Sequence, residues 1–542
     1  MTACSSLLFY ARRPWLWLLP TLLGVLGAAP ATAQRRPAAL PAPPPPGAPV
    51  QTARVELKLE SYNSEVHVQP LAADSSVVLL VGQDARLEAD RLFTFQHYDQ
   101  HLRLRRESVA PVPPEFRYAR GCTEGQTVFA VFRSNRLEGR LWTVAYDGRS
   151  GAVRTQQFDT RLSREIVDLK ALDGRLFANV LLAGGQHVTA LLLDVPTGQM
   201  RYLPAVYEPL PTQLSFATDA AHRRAEYVVS QTNGRKSRLL LKQVSAGGQL
   251  LHSQYVQAES DRSLITAQLA PARDSAARLL TGTYSLRDPT YAQGLFATDL
   301  SAVPDGQRAP LRFYDFLNLK HFFDYLTPSR QARLRQRIGR RVARASPPLR
   351  WHYRLLLHEL LPRPDGSYVL VAEAYFPHYH YNSSGYSPGL GHAGGFAPAP
   401  YGLGYPNSRV FDGYQTTHAL VCGFDAHGTL LWDNVFVAED LRRYDLEEAV
   451  RVQPLPDGRL ALTYLDDDHI RYKLINGAAP APDDLRVPLQ TNGANRPEKV
   501  FEAEQNDLLP WFGSQFVASG YQRIRPAKGP ERRVFFLNAV AF

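Results

Sequence analysis

The residues best suited to chemistry cluster between positions 366 and 415. Glu373 stands inside YVLVAEAYF, an otherwise apolar run. A carboxylate in such a run needs a partner or carries a raised pKa, so it reads as a structural ion-pair member or as a general acid. His378 and His380 follow as an H-x-H pair. On an extended strand alternate side chains share a face, so both imidazoles can reach one metal ion, with His392 as a third nitrogen. No carboxylate stands at a recognisable ligand spacing beside them, and the chain is expected to carry no cofactor. The segment 377–415 is rich in Gly, Pro, Tyr and His and nearly free of charge. A connection of that length reads as a binding loop. Its tyrosines Tyr379, Tyr381, Tyr386 and Tyr401, with Tyr375 and Glu373 just before them, form the candidate ligand-binding set, because aromatic faces on a Gly/Pro frame stack on sugar rings or pack beneath a lid. The G-x-G-x-x-G match at 389–394 lacks a strand-to-helix setting and is no nucleotide site.

A second cluster is basic. After Thr327-Pro328, an N-cap followed by a proline suited to the first helical position, RQARLRQRIGRRVARAS places Leu334, Ile338 and Val342 at i, i+4 and i+8. The remaining surface carries Arg330, Arg333, Arg335, Arg337, Arg340, Arg341 and Arg344 with no acid among them. Arg333, Arg337, Arg340, Arg341 and Arg344 are the candidate contacts to an anionic surface, since a guanidinium donates two hydrogen bonds to a phosphate or carboxylate. The competing reading is a solvated helix packed on sheets through three apolar residues. The acidic run Asp466-Asp467-Asp468-His469 lacks the alternate oxygens and glycine of a calcium loop and reads as a charged hairpin tip. No G-x-S-x-G, S-x-x-K or H-E-x-x-H motif occurs.

The elements that must hold these residues are strands. Short runs rich in Val, Leu, Tyr, Phe and Thr alternate with Gly turns. Asp-Gly occurs at 147, 173, 305, 365, 412 and 457, and Asn-Gly at 233 and 476. Both residues of such pairs tolerate positive φ, which suits hairpins. Above the hairpins lies a period of roughly 50 residues, seen at 127–153, 174–200, 225–251 and 277–300, and again at 366–434, 458–475 and 514–542. A further set, VELKLES, SVVLLVG, LFTFQHY and HLRLRRE, precedes the first clear unit. These units predict an all-β fold, a β-propeller of about seven or eight four-stranded blades with one helical insertion at 313–346, closed by pairing a terminal strand into the first sheet. Two β-sandwich domains are the alternative. The grammar resembles β-propeller repeat proteins of the quinoprotein-like and WD40-like kind. FDAHGTLLWDN (424–434) is similar to the turn-plus-tryptophan segment of quinoprotein-like blades. The resemblance implies a fold and no activity.

The chain ahead of the body reads as an export signal. Arg12 and Arg13 precede an uncharged apolar run from Trp15 to Ala29, and Ala31-Thr32-Ala33 fits signal peptidase. The apolar run, at ~15 residues, is shorter than a membrane span requires. The expected division is a signal peptide at 1–33, a Pro/Ala-rich linker at 34–51 and a propeller-like body at 52–542. Export leads to the periplasm or the exterior, with membrane-surface association through the basic helix as an option. The net charge of +10 becomes +8 without Arg12 and Arg13 and favours acidic partners. With export, nucleic acid is not an expected partner. Cys122 and Cys422 are too few for a disulfide scaffold. The leading functional expectation is a non-catalytic exported protein that presents a binding surface to an envelope component, a glycan or another protein. The alternatives are a carbohydrate-active or other hydrolase or lyase working in the propeller channel, which needs two converging carboxylates, and a peripheral protein docked on an anionic membrane surface by the basic helix.

Overall fold

The structure is a computed structural model. It describes residues 47–542 except 59–64, 83–90, 161–162, 183–186, 204–207, 210–213, 233–235, 259–260, 272–277, 302–309, 345–348, 382–408, 483–484, 492–497 and 527–528. The leader predicted at 1–33 and nearly all of the linker lie outside the described residues. Among the described residues, no helix is long and apolar enough to cross a membrane.

The strands form eight antiparallel sheets, each a blade of four strands, in chain order in all but the eighth, two of them with a short extra strand. Blades 1 to 7 occupy 65–112, 116–159, 163–202, 214–256, 263–315, 354–443 and 451–488. Blade 8 takes three strands from 499–541 and its fourth from the other end of the body, Val50–Lys58. That strand pairs antiparallel with Arg532–Ala541, Val50 opposite Ala541 and Lys58 opposite Val534. Two sequence expectations change here. VELK (55–58), the described part of VELKLES, belongs to the last blade, and the terminal strand closes the last sheet, not the first. Val50 and Gln51, read as the end of the linker, already pair with Ala541 and Val540.

The ring follows from the alternation of side chains. In Arg91–Tyr98, Phe93 and Phe95 are fully buried while Leu92 is exposed, so the sheet buries one face against each neighbour. Eight apolar cores sit among the described residues, one at each junction between successive blades. Phe93, Phe95, Phe132 and Tyr146 fill the junction of blades 1 and 2. Trp511, Val517 and Leu537 of blade 8 meet Val77, Leu79 and Tyr98 of blade 1, which shuts the circle. Trp511 also donates its indole N–H to Ser76 O across that junction at 2.7 Å. Cores that link each blade to the next leave no place for the two-sandwich alternative.

Of the expected turns, 233–234 and 305–306 lie outside the described residues, and 147–148, 173–174, 365–366, 457–458 and 476–477 are turns between strands. Asp173 and Gly174 both take positive φ, 56° and 71°, between two paired strands. Asp412-Gly413 departs from the pattern. It lies inside Arg409–Phe424, where Gly413 has φ 93° and a Cβ would stand 2.4 Å from Arg443 O. It therefore serves a close strand approach and is no hairpin turn. Trp432 lies over Gly423 of the adjacent strand and reaches Gly477 of the next blade, which is the structural use of the FDAHGTLLWDN segment.

Of the region read as helical, Arg312–Asp315 is the outer strand of blade 5, Phe316–Asn318 is a single 3-10 turn, and Pro328–Ala343 is the α-helix. Thr327 O accepts from Arg330 N at 2.9 Å and Gln331 N at 3.0 Å, as its capping position requires. Cys122 and Cys422 are free thiols in blades 2 and 6, on opposite sides of an eight-membered ring.

Candidate functional site

A cavity of about 1390 Å³ opens along the propeller axis. Its wall takes residues from the first strand of every blade, including His67, Tyr118, Asp168, Ser215, Gln268, Leu356, Arg451 and Asp507. The segment 441–448, which leaves the last strand of blade 6, also lines it.

That segment is anchored by Glu373. The carboxylate is 1% exposed. Its Oε1 accepts from His358 Nε2, Ala449 N and Val450 N, each at 2.8 Å, and Oε2 accepts from Thr416 Oγ1 at 3.3 Å. Burial pushes the Glu373 carboxyl up, but the hydrogen bond and charge of His358 and the two amides outweigh it and hold the pKa below the ordinary value. Burial pulls His358 down, and the charges of Glu448 and Glu373, with the Glu373 hydrogen bond, raise it above its ordinary value. Glu448 lies 3.9 Å from His358 Nδ1 and 3.3 Å from Arg451. Arg451 and Arg443 both pair with Asp507, at 3.3 and 3.1 Å. The inner strand of blade 8 shifts register between Glu504 and Asp507, with Gln505 at φ 49°. The chain of charges thus runs from blade 6 through blade 7 to blade 8. On the far side, Arg120 of blade 2 reaches Glu447 at 3.1 Å, and Lys170 of blade 3 pairs with Glu359 of blade 6. Ion pairs therefore span the channel.

The pH dependence has a defined sign. Glu373 stabilises the fold in its ionised form, a contribution present above the ordinary value of 4.5 and lost as pH falls through the lowered pKa. His358 stabilises it when protonated, a contribution present below 6.5 and lost as pH rises through the raised pKa. The stability difference between wild type and His358→Gln, followed by urea denaturation, should therefore be greatest between pH 4.5 and 6.5. It should shrink on either side. A difference that stays flat from pH 4 to 9 would remove His358 from the clamp.

The three strands of blade 6 that follow its inner strand are long, Tyr368–Tyr381, Arg409–Phe424 and Leu430–Arg443. Beyond the channel wall they carry an aromatic ladder. Tyr375 meets Tyr414 edge-to-face at 5.6 Å, Tyr414 meets Phe411 at 5.1 Å, and Phe411 meets Tyr379 at 5.8 Å and Tyr444 at 6.1 Å. Tyr379 is 45% and Tyr444 74% exposed. Tyr375 and Tyr444 both line the cavity.

The predicted residues divide accordingly. Tyr375 and Tyr379 meet in the ladder. Glu373 is buried, with its oxygens engaged by His358, Thr416, Ala449 and Val450. Tyr381 and His380 lie in the same strand. Tyr386, Tyr401 and His392 lie outside the described residues. His378 Nδ1 stands 3.4 Å from Asp412 Oδ2. Among the described residues, no group of three or more His, Cys, Asp or Glu side chains is placed to hold a metal. Asp466 and His469 pair across the hairpin tip, as expected, and Asp466 and Asp467 face the cavity. Sequence reasoning missed Tyr444, Arg120, Lys170, His358, Arg451 and Asp507. One signal was available: YxR at 118–120 and DxK at 168–170 place polar residues two apart on the strand ahead of a hairpin.

No protein-family model matches the chain, and no curated protein matches it. Solved structures of similar fold include the polysaccharide lyase Uly1, at 9% identity over 90% of this chain and 100% of that one, TM-score 0.38. The β-propeller domain of the trilobed protease from Pyrococcus furiosus, described as having an open velcro topology, is 8% identical over 78% and 95%, TM-score 0.32. Prolyl oligopeptidase B from Galerina marginata is 10% identical over 84% and 56%, TM-score 0.35. These likenesses concern the propeller fold alone.

Proposed function

We propose that this is an exported recognition protein that binds a glycan chain at the mouth of its channel and leaves it intact. The observation that carries the reading is the pair of exposed rings, Tyr379 and Tyr444, packed about half-buried Phe411 beside an open polar cavity. Aromatic rings pack on the C–H faces of sugars, and the guanidinium and carboxylate groups of the channel suit their hydroxyls. Neither Glu373, buried behind the cavity wall, nor Asp507, which lines the cavity, is poised as a general acid. A general acid works from a raised pKa, whereas Glu373 and Asp507 are held low, Asp507 because the charges of Arg451 and Arg443 overcome its burial.

Isothermal titration with uncharged hexasaccharides of glucan and chitin tests the reading. One of them should bind, and Tyr444→Ala should weaken it by roughly 2- to 12-fold, the loss of one aromatic contact. Tyr444 is mostly exposed, so the fold should be unaffected. Unchanged affinity in the variant would overturn the ladder's role, and shortened or unsaturated products would replace binding with catalysis.

A further inference from the structure

Helix Pro328–Ala343 is mostly solvent-exposed. Its hold on the propeller includes Leu334, which packs on the core between blades 5 and 6. At 100° per residue, Arg330, Arg333, Arg337, Arg340, Arg341 and Arg344 fall within an arc of ~100°, and Arg335 alone lies on the opposite flank. From Arg330 to Arg344 the stripe runs roughly 21 Å, with successive arginines about one turn, ~5.4 Å, apart. No Asp or Glu occurs between Asp324 and Glu359. Arg330, Arg333, Arg337, Arg340 and Arg344 are exposed and make no ion pair with a described carboxylate. Like charges three and four residues apart repel, so the stripe opposes the helix that bears it. Such a line of cations is relieved when an anion lies along it.

The shape of the stripe selects the anion. A bilayer offers a plane and favours helices with a free apolar face. Here the apolar edge is turned to the propeller, with Leu334 packed and Ile338 half-buried. A single row of guanidinium forks matches a linear chain with an acid group on successive sugars, each carboxylate or sulfate accepting two hydrogen bonds from one arginine. We propose that this stripe is a docking rail for a linear anionic glycan. The site is separate from the channel mouth and does not depend on the reading given for it.

The test uses the full chain and two probes, a heparin octasaccharide and an oligogalacturonate octamer, with binding followed by fluorescence anisotropy at 50 and 300 mM salt. At least one probe should bind at low salt and weaken at least 10-fold at high salt. The triple variant Arg337→Gln, Arg340→Gln and Arg344→Gln should lose at least 10-fold at low salt with an unchanged denaturation midpoint, because all three side chains are exposed. Arg335→Gln should lose less than 2-fold. Tyr444→Ala should bind as wild type, which separates this site from the channel. Equal losses per arginine in the triple and Arg335 variants would reduce the effect to net charge and overturn the rail. So would failure of both probes, or tighter binding to phosphatidylglycerol vesicles abolished by the same triple, which would make the partner a membrane surface.

Discussion

Glu373→Gln should destabilise the folded protein by about 3–5 kcal/mol, the usual cost of removing one partner from a buried ion pair. Glutamine keeps the shape of the side chain, so no cavity forms. What changes is that His358, 4% exposed, keeps a raised pKa only through the acids around it. Without the Glu373 charge it must release its proton or stay charged with Glu448, 3.9 Å away, as its remaining partner. The loss should appear in the urea midpoint. It should also appear locally, as faster hydrogen exchange at the amides of Ala449 and Val450, which the carboxylate now accepts at 2.8 Å. A variant with wild-type midpoint and unchanged protection at those amides would show that the clamp does not hold the segment lining the channel.

Removal of residues 50–58 should have the other large effect. The strand forms eight residue pairs with Arg532–Ala541. It also carries Arg54, whose guanidinium donates to Glu56 at 2.8 Å, Gln522 Oε1 at 2.9 Å, Asn538 Oδ1 at 3.0 Å and Gln490 O at 2.9 Å. Asn538 and Gln522 are almost fully buried, so deletion leaves polar groups without these partners at about 1–3 kcal/mol each. Arg532, paired with Glu56 at 3.0 Å and Glu498 at 2.9 Å, keeps only the second acid. The last blade then shows a ten-residue, largely apolar edge strand. A chain beginning at residue 59 should lose about 2–6 kcal/mol by this count and self-associate on size-exclusion chromatography with light scattering. A synthetic peptide of residues 50–58 added in trans should restore the monomer. A truncated monomer with an unaltered midpoint would mean that the eight-bladed ring does not need its closing strand.

The parts of this fold that read directly from the chain are those whose signals are local. A Gly turn between two runs of alternating residues marks the central hairpin of a blade, and seven such hairpins could be placed from their period. Thr327-Pro328 and the Leu334, Ile338 spacing gave the helix its start and its packed edge for the same reason. The inner strands read less clearly. Glu65–Leu71 is EVHVQPL, polar on the side that faces the channel and interrupted by a proline, so it resembles a loop until the channel is known. VELKLES was grouped with its chain neighbours because nothing in its composition says that its partner is nearly 500 residues away. The site was legible only in part. Tyr375 and Tyr379 belong to one segment and could be found together. Glu373 could be recognised as a buried carboxylate, but its partners come from position 358 and from two amides at 449 and 450, and no spacing rule joins those positions. The channel wall takes a few residues from each of eight strands, which is a property of the ring and of no single stretch.

The pairing of the first strand with the last also sets a timetable for biogenesis. Lys58 leaves the ribosome 534 − 58 = 476 residues before its partner Val534. At ordinary rates of synthesis that interval is roughly 25–95 s. Throughout it, the sticky outer strand has no mate in its own chain, while the intervening blades can form as they emerge. Blade 8 is therefore the last sheet the chain can complete, and the ring closes only when its far end has been made.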